Sequence, residues 1–244
     1  MAPILEKEYN LRTADFDLYA RLRPRTILDI FQDIAGDHAI LLGCGIQDIP
    51  SRGMAWVLTK TRYEIYKQPD MYSRVKAVTW PLSPGKFTYR REYKIESLEG
   101  ETIVLGTSEW VIMDFEDRKL KMVPDIYKGD DCLTELALNE EKLRKIPSAT
   151  DPYLTGTELA QYSDQDTNLH VNNIVYADYV MNLIRPTKDQ EIKRFEIDYH
   201  KEVKAGDRML LSAMREDSGR LLVDAVSDYS EKREKLFCAS VAFK

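Results

Sequence analysis

The stretch RTILDIFQDIAGDHAILLGCG, residues 25–45, has the residue spacing of an amphipathic helix. Ile27, Phe31 and Ile34 recur at steps of three and four residues, and two glycines close the run. An apolar stripe of this kind covers one face of a helix and is buried against a second layer of structure. The stretch therefore predicts a long helix that packs on a sheet.

Strand-like sequence follows this helix. MAWVLTKTRYEIYK and RVKAVTW are rich in β-branched and aromatic residues, and FTYRREYKIESLEGETIVLGTSEWVIMD reads as two strands around a turn at Glu99-Gly100. A second helical stripe lies in NNIVYADYVMNLIRP, residues 172–186, and further strand-like segments follow it. A helix followed by a long antiparallel sheet predicts the hotdog arrangement, in which the sheet wraps the helix, and the groove between two such units suits an acyl chain.

The two halves of the chain resemble each other. An offset of 149 residues places Asp15 and Asp17 on Asp164 and Asp166, and it superposes the two helical stripes. After the helices the offset falls to 134, because the first half has the longer loop GCGIQDIPSRG. Similarity at a fixed offset indicates a repeated structural unit. We therefore predict an α+β fold, a tandem double hotdog in which each half is a long helix wrapped by an antiparallel β-sheet.

The predicted domains are an N-terminal hotdog at residues 1–128 and a C-terminal hotdog at residues 151–244. Residues 129–150 between them have a charged, amphipathic centre with Gly129 and Pro147 as punctuation. We expect this segment to be a linker that contains a short helix.

The composition excludes several classes of protein. The chain has 244 residues, 43% hydrophobic and 31% charged, with a net charge of -6, which is typical of a soluble globular protein. The acidic balance argues against a nucleic-acid partner, and no apolar run approaches the roughly 20 residues of a membrane helix. Cys44, Cys132 and Cys238 lack zinc or redox spacing, so we interpret them as reduced thiols and expect a cytoplasmic protein.

The stretch SDQDTNLHVNN, residues 163–173, concentrates carboxylates and amides as a metal site would. A calcium loop needs glycine at its sixth position and an acidic residue at its twelfth, but these positions hold Leu169 and Val175. No pair among the three histidines has zinc spacing. We therefore expect no metal and no cofactor.

Two interpretations of this stretch remain. Asn172 or Asn173 would cap the N-terminus of the second helix. Alternatively, an extended segment with period two puts Asp166, Asn168 and His170 on one face, beside a helix N-terminus. Free backbone N–H groups there could stabilise an oxyanion, and a carboxylate or an imidazole could deprotonate a water beside a thioester carbonyl.

The segment DQDTNLHVNNIVY resembles the acyl-acyl-carrier-protein (acyl-ACP) thioesterase family of plant plastids and bacteria, whose signature is D-x-D-x-N-x-H-V-N-N before a helix. FEIDYHKEV, residues 195–203, resembles the family's strand with a catalytic glutamate, here Glu202. MAWVLTKTRYEIYKQPDMYSRVKAVTWPLSPGKFTYRREYKI and SEWVIMDFEDRKLKMVPD resemble the family's N-terminal hotdog. The resemblance thus runs, in order, along nearly the whole chain.

The resemblance implies hydrolysis of the thioester of fatty acyl-ACP to a free fatty acid, ending fatty acid synthesis. The implied catalytic residues are Asp166, Asn168, His170 and Glu202. The residues expected to bind substrate are Asn172, Asn173 and Trp56. Many plant members have cysteine directly after the glutamate, but this chain has Val203, so we expect direct attack by water. Glu202, with Asp166 close by, is expected to activate this water, and either carboxylate could be the base. The first half has Tyr19 and Arg21 in place of Asn168 and His170, and is expected to be non-catalytic and to form the acyl pocket.

The implied partner is acyl carrier protein with its fatty acyl chain. Because the carrier is acidic, we expect a basic docking patch, with RLRPR, KTR and FTYRREYK as candidates. The plant members' transit peptide and membrane-associating leader are not recognised here, so a bacterial, cytoplasmic protein with no membrane partner is expected. The oligomeric state stays open between a monomer and a homodimer, because two hotdogs in one chain already form the pseudo-dimer that the fold requires. The alternatives are an acyl-CoA thioesterase, a hydroxyacyl-ACP dehydratase and a non-enzymatic acyl sensor.

Overall fold

The computed structural model describes residues 4–46, 48–121, 133–228 and 233–244. The chain divides into two compact units, Met1–Leu143 and Arg144–Lys244, and each is described by itself. Their boundary falls within the predicted linker. The first four residues of this linker, which include Cys132, lie outside the described part.

The first unit is an antiparallel sheet with one long helix. Its elements are β1 (Leu5–Asn10), α1 (Pro24–Leu41), β2 (Met54–Ile65), β3 (Arg74–Pro81), β4 (Thr88–Ser97), β5 (Thr102–Asp114) and the short β6 (Leu120–Lys121). The strand order is β1-β3-β4-β5-β2, and β6 pairs with β5. Ile27, Phe31 and Ile34 of the predicted stripe of α1 are buried, whereas Leu41, which continues the same spacing, is 62% exposed, so the stripe is wrong at this last position. Phe31 stacks on Tyr93 of β4 with ring centroids 4.2 Å apart. Gly100, at φ +89°, forms the predicted turn between β4 and β5.

The second unit has the same organisation. Its elements are β7 (Leu154–Leu159), α2 (Tyr176–Ile184), β8 (Ile192–Tyr199), β9 (Arg208–Arg215), β10 (Leu221–Ser227) and β11 (Lys235–Phe243). The strand order is β7-β9-β10-β11-β8. Tyr176 of α2 packs edge-on against Tyr199 and Phe237, with ring centroids 5.4 Å and 5.1 Å away, so the helix lies against its sheet.

Both units also share one strand register. Leu5 of β1 pairs with Thr79 of β3, and Leu154 of β7 pairs with Ala213 of β9. These two pairs differ by the offsets of 149 and 134 residues that relate the two halves of the sequence. The predicted tandem double hotdog is therefore confirmed.

Only one of the two helices is long, however. α1 has 18 residues, whereas α2 has 9, so the prediction of a long helix is wrong for the second unit. The side-chain oxygen of Asn172 accepts the N–H of Ile174 at 3.1 Å and forms a separate turn before α2 begins. At the other end Arg185 adopts φ +43° before Pro186, which ends the helix.

The described part of the predicted linker, residues 133–150, contains no helix, so that prediction is wrong for these residues. Side chains of the strands hold its backbone instead. In the first unit Glu92 accepts the N–H of Ala137 at 2.9 Å. In the second unit Asp198 accepts the N–H of Ile146 at 3.0 Å, so both segments lie along their own sheets.

Candidate active site

The polar stretch that precedes α2 is a tight turn. Gln165 and Val171 form an isolated antiparallel bridge, and the N–H of Asp166 donates to the carbonyl of His170 at 3.1 Å. Leu169 adopts φ +64°, and the chain reverses there, between the bridged residues Gln165 and Val171. The predicted extended segment with one polar face is therefore wrong. We call residues 165–171 the active turn.

The turn brings two of the predicted residues together at its base. Asp166 and His170 are half-buried neighbours linked through their backbones, whereas Asn168 is exposed at the tip. The Asp166 side chain accepts the N–H of Asn168 at 2.8 Å through Oδ1. This short-range hydrogen bond stabilises the turn and competes with an extended conformation.

Glu202 lies shortly after the end of β8, and hydrogen bonds join its segment to the active turn. The N–H of Val171 donates to the carbonyl of Val203 at 2.7 Å. The N–H of Ala205 donates to the side-chain oxygen of Gln165 at 3.0 Å. Because these bonds reach both ends of the turn, they bring Glu202 alongside its base.

Tyr176, the first residue of α2, is influenced by carboxylates of both segments. Burial raises the pKa of this tyrosine, a backbone hydrogen bond from Val203 opposes the shift, and the negative charges of Glu202, Asp166 and Asp207 add to it. Such charge effects fall off with distance. Tyr176 itself is 3% exposed, whereas Glu202 is exposed.

The start of α2 differs from the prediction. Its N-cap is Val175, without a side-chain cap, so capping by Asn172 or Asn173 is wrong. The reason is the turn at residues 173–175, in which the N–H of Val175 bonds to the carbonyl of Asn172 at 2.9 Å. The carbonyl of Asn173 accepts the Tyr199 hydroxyl at 3.1 Å. The expected contact of Asn172 and Asn173 with substrate stays a prediction.

The first unit contains the same turn with different side chains. The N–H of Asp17 donates to the carbonyl of Arg21 at 2.8 Å, and Ala20 adopts φ +59°, which matches the active turn. Here Arg21 Nε also donates to Asp17 Oδ2 at 3.1 Å, and its guanidinium lies 4.6 Å from the ring centroid of Tyr19. The Asp17 carboxylate is therefore occupied by an ion pair, and the non-catalytic role of the first half stays a prediction.

Gln68 is the counterpart of Glu202 in the first unit, and the sequence analysis did not identify it. The offset of 134 residues places Gln68 on Glu202, and this alone could have revealed it. Its side-chain oxygen accepts the N–H of Leu22 at 2.9 Å, beside the turn of the first unit. An amide does not accept a proton near neutral pH, so the first unit lacks a base at this position.

Trp56 lies in the first unit, on β2. Its indole N–H donates to the carbonyl of Cys44 at 2.8 Å, and its ring meets Tyr89 edge-on at 4.9 Å. Trp56 packs against a buried cluster that includes Cys44 and Ile112. Its expected role in substrate binding stays a prediction. Cys44 and Cys238 are buried, and Cys238 Sγ lies 3.5 Å from His200 Nε2.

Two of the three candidate docking segments each contain a buried arginine. Arg62 in KTR is 1% exposed and Arg91 in FTYRREYK is 9% exposed, so these two side chains are wrong candidates. Arg91 instead contacts the ring nitrogen Nδ1 of the buried His38 at 2.9 Å. In RLRPR, by contrast, Arg23 and Arg25 are exposed.

The described residues contain neither a cluster suited to a metal ion nor a helix suited to crossing a membrane. No cluster of three or more His, Cys, Asp or Glu side chains in these ranges could bind a metal ion. No helix in the described part of the chain has the length and apolar character needed to cross a membrane.

Comparison with known proteins relates both units to one family. A sequence profile of the acyl-ACP thioesterase N-terminal domain matches residues 4–129, and a profile of the C-terminal domain matches residues 155–237. The chain is 26% identical over 214 residues to a chloroplastic palmitoyl-acyl carrier protein thioesterase of Arabidopsis thaliana, covering 82% of this chain and 52% of the relative. It is 28% identical over 228 residues to the chloroplastic oleoyl-acyl carrier protein thioesterase 2 of the same plant, covering 83% and 60%. The chain thus spans little more than half the length of these relatives.

Solved structures show the same fold. An acyl-ACP thioesterase from Bacteroides thetaiotaomicron superposes with a TM-score of 0.89 at 23% identity, covering 99% of this chain and 98% of that one. The 12:0-ACP thioesterase from Umbellularia californica superposes with a TM-score of 0.86 at 18% identity, covering 100% and 98%. At these identities the likeness concerns the fold.

Proposed function

The chain belongs to the acyl-ACP thioesterase family, and we propose that it hydrolyses the thioester of fatty acyl-ACP and releases a free fatty acid. The observation that carries this proposal is the pair of hydrogen bonds that join the active turn, with Asp166 and His170 at its base, to the segment of Glu202. Two carboxylates and an imidazole on adjoining segments are suited to orienting a water and accepting its proton. The names of the plant relatives support a carrier-bound fatty acyl chain as substrate.

In the proposed mechanism, the thioester carbonyl lies beside the active turn. Glu202, with Asp166 close by, accepts a proton from water as the water oxygen bonds to the carbonyl carbon. His170 and Asn168 orient the water and the thioester. The tetrahedral intermediate then collapses, the carbon–sulfur bond breaks, and the carrier's thiolate takes up the proton, which leaves a free acid and a thiol.

Hydrogen bonds just before the second helix narrow the choice of oxyanion donor. The candidate donors are the backbone N–H groups of Val171, Asn172 and Asn173. The N–H of Val171 donates to the carbonyl of Val203, and that of Asn172 donates to the carbonyl of Asp164 at 2.9 Å. This favours the N–H of Asn173 as the donor, because such groups stabilise developing negative charge when they are held in place.

Alanine substitutions of Asp166 and His170, and Glu202→Gln, test the catalytic assignment. Each should lower thioester hydrolysis by about 10²–10⁴-fold, which is the typical contribution of a general base, while the protein stays folded. Asp17→Ala is the matched control, because it removes the same carboxylate from the equivalent turn of the first unit. Near-normal turnover in both Asp166→Ala and His170→Ala would disprove the assignment.

The substrate class is tested by turnover on matched acyl-ACP and acyl-CoA substrates of several chain lengths, with detection of the released thiol. Faster release from acyl-ACP supports the proposal. Preference for acyl-CoA would make the protein an acyl-CoA thioesterase, and loss of water from a hydroxyacyl substrate without thiol release would make it a dehydratase.

We further propose that the acidic carrier docks in the cytoplasm at the exposed Arg23 and Arg25, at the N-terminus of the helix α1. Opposite charges across an interface speed association, and salt screens them. Arg23→Ala together with Arg25→Ala should therefore raise KM for acyl-ACP and weaken its dependence on salt. An unchanged KM at low salt would count against this docking surface. The acyl pocket in the first unit and a homodimer stay predictions.

A further inference from the structure

Three tyrosines, two of them buried and one half-buried, distinguish the second unit from the first. The offset of 149 residues relates the helices, and the offset of 134 relates β2 to β8. These offsets place Tyr176 on Ile27, Tyr179 on Ile30 and Tyr199 on Ile65. At these three positions, the unit with the candidate active site has a phenol where the other unit has isoleucine.

The structure supports the equivalence of Ile65 and Tyr199. At the ends of β2 and β8, two successive N–H groups bond to one carbonyl of the neighbouring strand. The pairs are Tyr66 and Lys67 with Ile103, and His200 and Lys201 with Leu236. Each pair follows directly after the compared residue, Ile65 or Tyr199, so the alignment is one of structure as well as of sequence.

Packing alone does not require the hydroxyls. Ile27 and Ile30 are 0% and 5% exposed, and Tyr176 and Tyr179 are 3% and 4% exposed. The same helix position in the same fold is therefore buried equally well without a hydroxyl. A buried hydroxyl must also find a hydrogen-bond partner, or it destabilises the fold. The phenols therefore need a reason beyond filling space.

Each hydroxyl reaches the surroundings of the active turn. The Tyr179 hydroxyl donates to Asp164 Oδ2 at 2.7 Å, just before the turn. The Tyr199 hydroxyl donates to the carbonyl of Asn173 at 3.1 Å, just after it. The two bonds thus hold the chain at its entry to the turn and at its exit.

Tyr176 reaches the segment of Glu202. Burial raises the pKa of this tyrosine, and its backbone hydrogen bond with Val203 opposes the shift. The N–H of Val203 therefore donates to the phenol oxygen, because only a donor stabilises the phenolate. The ring of Tyr176 also packs against those of Tyr179 and Tyr199, with centroids 6.1 Å and 5.4 Å away. The three phenols form one packed group with its hydroxyls directed at the site.

We propose that Tyr176, Tyr179 and Tyr199 are positioning residues for thioester hydrolysis, which hold the active turn and the Glu202 segment at a fixed separation. This inference rests on the proposed function. Catalytic groups act only within a narrow range of positions, and a displacement of about 1 Å can reduce the rate by about 100-fold. The first unit, which has Gln68 instead of Glu202, has no such separation to maintain.

Single and triple tyrosine-to-phenylalanine variants test this role, because they remove the hydroxyls and keep the rings. The triple variant should lower kcat by between about 10-fold and 100-fold, the range for small displacements, with KM within about twofold. Tyr93→Phe is the matched control. Tyr93 is a buried tyrosine of the first unit whose hydroxyl lies 2.9 Å from Ser108 Oγ, and its loss should leave kcat unchanged.

Amide hydrogen exchange gives a second measurement that does not depend on activity. The N–H groups of Val171 and Ala205, which join the turn to the Glu202 segment, should exchange faster in the triple variant and at the original rate in Tyr93→Phe. Unchanged kcat or unchanged exchange at these amides would overturn the inference. If the unmodified protein hydrolysed no thioester, the proposed function would fail, and exchange would still decide whether the tyrosines hold the turn.

Discussion

Replacing Gly106 with alanine tests how closely the aromatic core of the first unit is packed. Gly106 lies in β5, beneath Phe31 of α1. A Cβ atom built there would lie 2.3 Å from Phe31 Cε2 and 3.1 Å from the carbonyl oxygen of Arg62. Ordinary van der Waals contact begins at 3.4 Å, so the ring would have to move by about 1 Å.

The phenylalanine ring has little room to move. It stacks on Tyr93 with centroids 4.2 Å apart and planes 10° apart, and it meets Tyr63 edge-on at 6.2 Å. Both tyrosines are fully buried. Overpacking a core usually costs about 1–3 kcal/mol, and neighbours on two sides place this variant near the upper end, at about 3 kcal/mol. The melting temperature should fall by about 6–12 °C, because 1 kcal/mol corresponds to about 2–4 °C at this chain length.

Gly36→Ala is the matched control for this measurement. Gly36 lies in α1, is exposed, and a Cβ there would meet nothing within 4 Å. Alanine in a helix is more favourable than glycine by about 0.5–1 kcal/mol, so this variant should be stabilised. Both free energies of unfolding are measured by urea denaturation. A loss below about 1 kcal/mol in Gly106→Ala would refute the close packing inferred from the structure.

Two further predictions concern pH and the active turn. Burial raises the pKa of Asp33, but hydrogen bonds from Lys7 and Tyr9 outweigh it and lower the pKa below its usual value. A carboxylate whose pKa is lowered by folding contributes stability that is lost on acidification. In thermal melts between pH 7 and pH 3, the Asp33→Asn variant should therefore lose less stability than the unmodified protein. His170→Arg should abolish hydrolysis and leave the melting temperature nearly unchanged, because the new arginine would hold Asp166 as Arg21 holds Asp17; measurable turnover would contradict this pairing.

The fold could be predicted from the sequence because its signals extend over many residues. The apolar stripe of α1 spans several turns, and two offsets relate strands along both halves. A burial pattern of this length is not reversed by one local hydrogen bond. The same reasoning overestimated α2, where the Asn172 side chain forms a turn that replaces the expected first helical residues.

The shape of the candidate site could not be predicted, since short-range contacts decide it. Alternating polar residues at Asp166, Asn168 and His170 are typical of a strand, yet the Asp166 side chain bonds to the N–H of Asn168 and the chain reverses at Leu169. The alternation still singles out these three residues, whereas Glu202 is assigned only through the family resemblance, which does not depend on backbone conformation. Their catalytic roles stay predictions until the variants are measured.

The repeat separates the backbone of the site from its chemistry. Asp17 and Asp166 begin turns with the same backbone hydrogen bond and the same positive φ three residues later, so the turn itself is compatible with a silent unit and with the proposed active one. What differs is the residue four positions after the aspartate, arginine or histidine, and the residue of the adjoining segment, Gln68 or Glu202. In the D-x-N-x-H signature, the aspartate is therefore compatible with both units, and we expect the histidine and the distant glutamate to decide which unit is catalytic. A chain that keeps the first without the others should fold in the same way and hydrolyse nothing.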